Sequence, residues 1–214
     1  MKSNTDTIFA PVNACGEDLS GKLLDLFLGV YDAELSSYYA RMAFDAEEDS
    51  FVFTDESLDL KGRQDLLARL AQDGGGRWSC DLNLKFYPAK VKPALFVDPA
   101  GSPATTVVVS INSGLSDFLL EEERPRVPFL TFIARIALTL GADWFLTGLE
   151  LDHWKALPRR QVEDKQQWPP LTFAIGWRDK SLDEAQLLRG AGLGPDAVKH
   201  STVGYRFLNL FPAP

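Results

Sequence analysis

The chain has little of what side-chain chemistry needs. It holds two cysteines and two histidines. Cys15 and Cys80 form neither a metal-ligand spacing nor a disulfide framework. Cys80 falls on the apolar side of an alternating segment and reads as a small buried hydrophobe. No G-x-S-x-G elbow is present, and Ser110, Ser113 and Ser116 follow a strand-like run without the required glycines. No G-x-x-x-x-G-K-[ST] phosphate loop occurs. The run "GAGLGP" follows a helical pattern, not a strand, and reads as a helix terminator. These absences predict a chain that is not an enzyme, with no cofactor and no metal.

Long apolar runs are also missing. The longest, "VPFLTFIARIALTLGADWFL", is interrupted by Arg135 and Asp143. A bilayer span needs about 18–20 uninterrupted apolar residues, so no membrane segment is expected. Val12-Asn13-Ala14-Cys15 is similar to a lipoprotein cleavage box. The apolar stretch before it, Ile8 to Val12, contains Pro11 and is shorter than the ~7–15 residues of a signal-peptide centre. A cytoplasmic location is the expectation.

What the chain does have is acid. Its 214 residues, read as one domain over 1–214, carry a net charge of −8, unevenly spread. Residues 1–60 hold 13 acids and three bases, a balance of −10, so the rest is slightly basic. An acidic face repels phosphate backbones, which argues against nucleic-acid binding. It attracts and steers a basic protein.

Hydrophobic periodicity predicts helix from Leu19 to Met42, with a break near Gly29, and again from Leu60 to Gln72. Pro128 opens an apolar core helix with Phe129, Phe132, Ile133, Ile136 and Leu140. Ser181-Leu182-Asp183-Glu184 reads as a capping box with Ser181 as the cap. Phe51-Val52-Phe53 reads as a short strand. "RWSCDLNLKFY" alternates strictly, with Trp78, Cys80, Leu82, Leu84 and Phe86 on one side, as expected of an antiparallel strand with one wet face. "TTVVVSINS", "LTFAIGW" and "GYRFLNLF" are further strands. Helices and strands lack regular alternation, so the expected class is α+β, a mostly antiparallel sheet packed against several helices.

Four features are candidates for function. The first is the segment 45–59, with seven acids and no base. Acids flanking aromatic anchors suit a protein-binding edge, since an apolar centre with a charged rim is common at interfaces. Its candidate partner-binding residues are Asp45, Glu47, Glu48, Asp49, Phe51, Phe53, Asp55 and Glu56. The competing reading is a solvated loop around one buried strand. The second is Glu121-Glu122-Glu123, which reads as a solvated connector partly offset by Arg124 and Arg126. The third is Glu150, Asp152 and His153, a polar group that would line a pocket if the chain were a small enzyme or ligand-binding protein. One His and one Glu are too few for a defined metal site. His200 reads as a loop residue. The fourth is Trp168 before a Pro-Pro pair, either an exposed anchor or core.

The whole pattern resembles bacterial immunity proteins of effector–immunity pairs, including those of type VI secretion. The pieces carrying the resemblance are "FDAEEDSFVFTDESLDL", "LTFAIGW" and "GYRFLNLF". The resemblance implies a cytoplasmic protein that binds a cognate toxin domain and occludes its active site. It carries over no individual functional residue.

Overall fold

The computed structural model describes residues 5–12, 16–30, 34–45, 47, 50–57, 59, 61–72, 77–85, 90–91, 93–94, 105–111, 118–149, 151, 168, 171–179, 181–194 and 200–211. Its first strand, β1 (Thr5–Val12), is followed by helix α1 (Gly16–Asp25), which runs into a π-helical turn at Leu26–Val30. A hairpin follows, β2 (Glu34–Asp45) and β3 (Ser50–Ser57), then α2 (Arg63–Gln72) and β4 (Arg77–Lys85). Two short strands, β5 (Lys90–Val91) and β6 (Pro93–Ala94), lead to β7 (Thr105–Ile111). The second half holds α3 (Arg126–Leu140), β8 (Trp144–Leu149), β9 (Thr172–Arg178), α4 (Glu184–Gly190), β10 (His200–Thr202) and β11 (Tyr205–Asn209).

Among the described residues eleven strands join in the order β10-β11-β9-β8-β1-β7-β6-β4-β2-β3, with β5 beside β4. Every pairing among them is antiparallel. The fold is α+β, as the sequence predicts. The two-residue β6 bridges β4 and β7, and so connects the acidic hairpin to the rest of the sheet.

Strand β1 lies between β7 and β8, although its sequence shows only three consecutive apolar residues, Ile8, Phe9 and Ala10. Its polar half is buried too. Thr5, Asp6 and Thr7 are inside, and the Thr7 hydroxyl bonds the Thr147 hydroxyl of β8 at 2.9 Å. A buried polar group needs such a partner, because leaving it unpaired is costly.

Alternation along β1, β8, β9 and β11 sends side chains into two separate cores. On one side Phe9, Phe145, Phe173, Tyr205 and Phe207 meet α1, the π-helical turn and α3 through Leu23, Phe27, Phe129, Phe132 and Ile133. On the other, Ile8, Trp144, Ile175, Trp177 and Leu208 meet α4 and its approach through Leu182, Leu187 and Leu188. The strands β1, β8, β9 and β11 therefore have both faces dry; the one wet face expected of β4 lies outside the described burial. Helix α3 is apolar on most of its circumference, and nine of its residues are buried, as a core helix requires. It starts at Arg126, so Pro128 sits within the first turn, where its missing N–H costs nothing.

Three segments depart from the local sequence pattern. Residues 34–45 form strand β2, not the second helix expected up to Met42. The segment "ELSSYYARMAFD" has apolar residues at helical spacing, but it is rich in Tyr and Ser and pairs on both sides, with β3 and β4. Pairing on two edges outweighs a weak local preference. The N-cap of α4 is Asp183, whose carboxylate accepts from the Gln186 N–H at 3.0 Å. Ser181 instead donates to the carbonyls of Asp143 and Arg178. His200 is in strand β10, its ring stacked on Phe207 at 5.3 Å between centroids, and not in a loop. Helix α2 begins at Arg63 and buries Leu66, in agreement with its apolar stripe. On β4 the register sets Trp78, Cys80 and Leu82 opposite Arg41, Tyr39 and Leu35. The burial expected of Cys80 and the placement of Phe86 lie outside the described residues.

Candidate functional site

The acid-rich segment folds as one end of the sheet. Strand β3 is last in the strand order, and among the described residues it pairs with β2 alone. The register closes the hairpin at Asp45 opposite Ser50, then sets Phe51 opposite Phe44 and Phe53 opposite Met42. Directly opposed residues share a face, so one face of the hairpin carries four apolar positions in succession. A bulge between Arg41 and Met42 leaves Thr54 without an opposite residue. Beyond it Asp55 stands opposite Arg41 and Glu56 opposite Ala40.

This geometry redistributes the charge. The stretch 45–59 is free of bases in sequence but not in space. Arg41 faces Asp55 across the register, and Arg69 of α2 holds Asp59 at 2.8 Å. Asp25 is likewise held by Arg63 at 2.5 Å. Exposed pairs like these add little stability, but they cancel local field. At the hairpin tip Glu47 is exposed. Six of the eight candidate residues, Asp45, Glu47, Phe51, Phe53, Asp55 and Glu56, thus fall on one hairpin. Glu48 and Asp49 lie outside the described residues.

The other candidates resolve differently. Glu121, Glu122 and Glu123 are exposed at the end of a helical turn at 118–121, in keeping with a solvated connector. Arg126 is not exposed with them. It is buried, its Nε donates to the Leu119 carbonyl at 2.8 Å, and its Nη2 donates to that of Leu120 at 2.9 Å. Its guanidinium also lies 5.1 Å from the centre of the Phe211 ring. A buried arginine thus ties the end of the turn to α3, and composition alone gave no sign of it. Trp168 is buried in the second core, so it is no exposed anchor. Glu150, Asp152 and His153 lie outside the described residues. Among the described residues no group of three or more His, Cys, Asp or Glu could hold a metal ion. No helix among them is long and apolar enough to cross a membrane.

One feature has no counterpart among the four sequence candidates. The turn between β10 and β11 borders an open cleft of about 340 Å³, lined by Asp179, Ser201, Thr202, Val203, Gly204, Tyr205 and Arg206. Val203 and Gly204 both have positive φ, 44° and 85°. A β-branched residue in that region is strained, and Val203 is retained there because its side chain packs on the first core. No hairpin signal marks this turn in the sequence, because the favoured two-residue turns use Asn-Gly or Asp-Gly and a valine at positive φ is rare. Arg206 in the cleft is already engaged, by Asp179 at 2.9 Å and Glu184 at 2.7 Å. Those partners hold its guanidinium pKa above the ordinary arginine value, the Glu184 hydrogen bond most of all.

Tyr205 points from the same strand into the core, and its hydroxyl donates to the Ala142 carbonyl. Burial pushes its pKa up from 10.0 to about 12, with Arg178 opposing and Asp143 adding. The raised value means that folding favours the neutral phenol. Its stabilisation is complete below pH 10 and drains away as pH rises towards 12. The wild type should lose about 2–3 kcal/mol across that window relative to Tyr205→Phe, read by urea melts at both pH values. Parallel curves for the two proteins would contradict the assignment.

No protein-family model matches the chain, and no curated protein sequence matches it. Among solved structures, a Pseudomonas aeruginosa T6SS protein is similar, with a TM-score of 0.42 and 8% identity. The alignment covers 97% of this chain and 65% of that protein, so the chain spans just under two thirds of its length. At that score the likeness carries no functional inference.

Proposed function

We propose that the chain is a non-catalytic cytoplasmic binding protein of the immunity type, whose acidic hairpin meets a basic toxin domain and covers its active site. The observation that carries this reading is the position of the acids. They are gathered on a hairpin at one end of the sheet, with β3 last in the strand order. Placed there, acids can reach a partner without disturbing either core. If the toxin is a nuclease, they stand in for the phosphates its cleft attracts.

The test is purification of the tagged full chain from its native cells, followed by assay of the protein that comes with it. The reading expects a basic partner whose own activity falls to background at one equivalent of this chain. A partner that stays fully active when saturated would overturn it. So would metal-dependent turnover by this chain that is lost in His153→Ala, which would instead favour the small-enzyme reading around Glu150, Asp152 and His153.

A further inference from the structure

We infer that β3 receives an extended basic segment of the partner as an additional strand along its outer edge. This rests on the binding reading above and specifies how the partner docks. The two ends of the sheet differ. At one end β10 has three residues, and short strands are a common way to blunt an edge. At the other, β3 has eight residues, and among the described residues its pairing is with β2 alone. A strand of that length presents a row of backbone donors and acceptors about 26 Å long.

The bulge at Thr54 divides that row. Residues Ser50 to Phe53 form an unbroken pairing stretch next to the hairpin tip, and Thr54 itself is exposed. The register gives this stretch an apolar face through positions 42, 44, 51 and 53, against which alternate residues of an incoming strand can pack. Charge selects the occupant. Five residues, 45 to 49, carry four acids beside the stretch, and Asp55 and Glu56 follow it. A second copy of this chain would bring the same acids edge to edge and be repelled. A strand bearing lysine or arginine is attracted. The alternative is that the acids only protect the edge from pairing at all.

The experiment uses the full chain and a synthetic ten-residue peptide of alternating lysine and valine. Two twins of the peptide carry N-methyl groups on alternate residues, one set for each edge of the strand. They keep the charge but lose backbone donors on one side. Strand addition predicts salt-sensitive binding of the parent, about tenfold weaker binding of one twin, and slowed hydrogen exchange at alternate amides of Ser50–Phe53. If both twins bind as tightly as the parent and β3 amides gain no protection, strand addition is wrong while the acidic surface stands. If no peptide binds even at low salt, the acidic surface fails and strand addition fails with it.

Discussion

Phe145→Ala should destabilise the fold by about 3–5 kcal/mol, because a fully packed aromatic ring is lost from the first core. Phe145 is fully buried on β8 and stands opposite Gly176 of β9 and Phe9 of β1. Its ring lies 6.3 Å from that of Phe9 and 5.9 Å from that of Tyr205, between centroids. The glycine is part of the same arrangement. A Cβ at Gly176 would overlap the Phe145 ring at Cζ and Cε1, so the ring occupies the space a side chain would take. Removing the ring leaves a void over a glycine, with no side chain there to relax into it, which puts the cost near the upper end. Gly176→Ala alone should also destabilise, by about 1–3 kcal/mol, because the ring is held by its neighbours. In Phe145→Ala the added methyl at 176 should instead be tolerated, so the double variant should be more stable than the sum of the two losses. Urea unfolding with an unchanged slope reads all three. A loss below about 2 kcal/mol for Phe145→Ala would show that the strands collapse around the gap.

Arg126→Ala should cost about 3 kcal/mol, far more than any nearby charge. Hydrogen bonds from a charged donor contribute about 1.5–3 kcal/mol each, and Arg126 makes two to the carbonyls of Leu119 and Leu120 beside its contact with Phe211. Arg126→Lys should recover little, since an ammonium cannot reproduce the planar fork. Glu122→Ala, in the exposed run beside it, should stay within about 0.5 kcal/mol. Equal losses for Arg126→Ala and Glu122→Ala would mean that the arginine is no more than part of the solvated connector.

The elements that announced themselves in sequence are those whose pattern is set locally. The β-branched run of β7, the alternation of β4 and the apolar circumference of α3 needed no knowledge of neighbours. Strand β1 did not announce itself, because Thr5, Asp6 and Thr7 are polar residues made buriable by strands far along the chain, such as Thr147 on β8. Strand β2 was masked by helical spacing in a segment whose state is decided by pairing with β3 and β4. Arg126 looked like surface charge, because nothing in "ERPRVPF" shows that two carbonyls wait for it. The acidic segment was legible as charge. Its place at the end of the sheet was not, since that depends on β4 pairing with β2, and on β6 joining β4 to β7. The same long-range pairing brings Arg41 opposite Asp55.

The central claim is that this tip draws in a basic partner, and the association rate tests it most directly. The wild type and a variant with Glu47, Glu48 and Asp49 all changed to Lys are compared, with the partner captured from native cells, at low and at high salt. Both proteins should fold alike, since an exposed charge such as that of Glu47 contributes little to stability. At low salt the variant should associate more slowly by on the order of tenfold or more, and added salt should narrow the gap, because long-range attraction sets the encounter rate and ions screen it. Dissociation should change less. An association rate equal to that of the wild type at low salt would contradict the account and leave the acids of the hairpin as a solvated face.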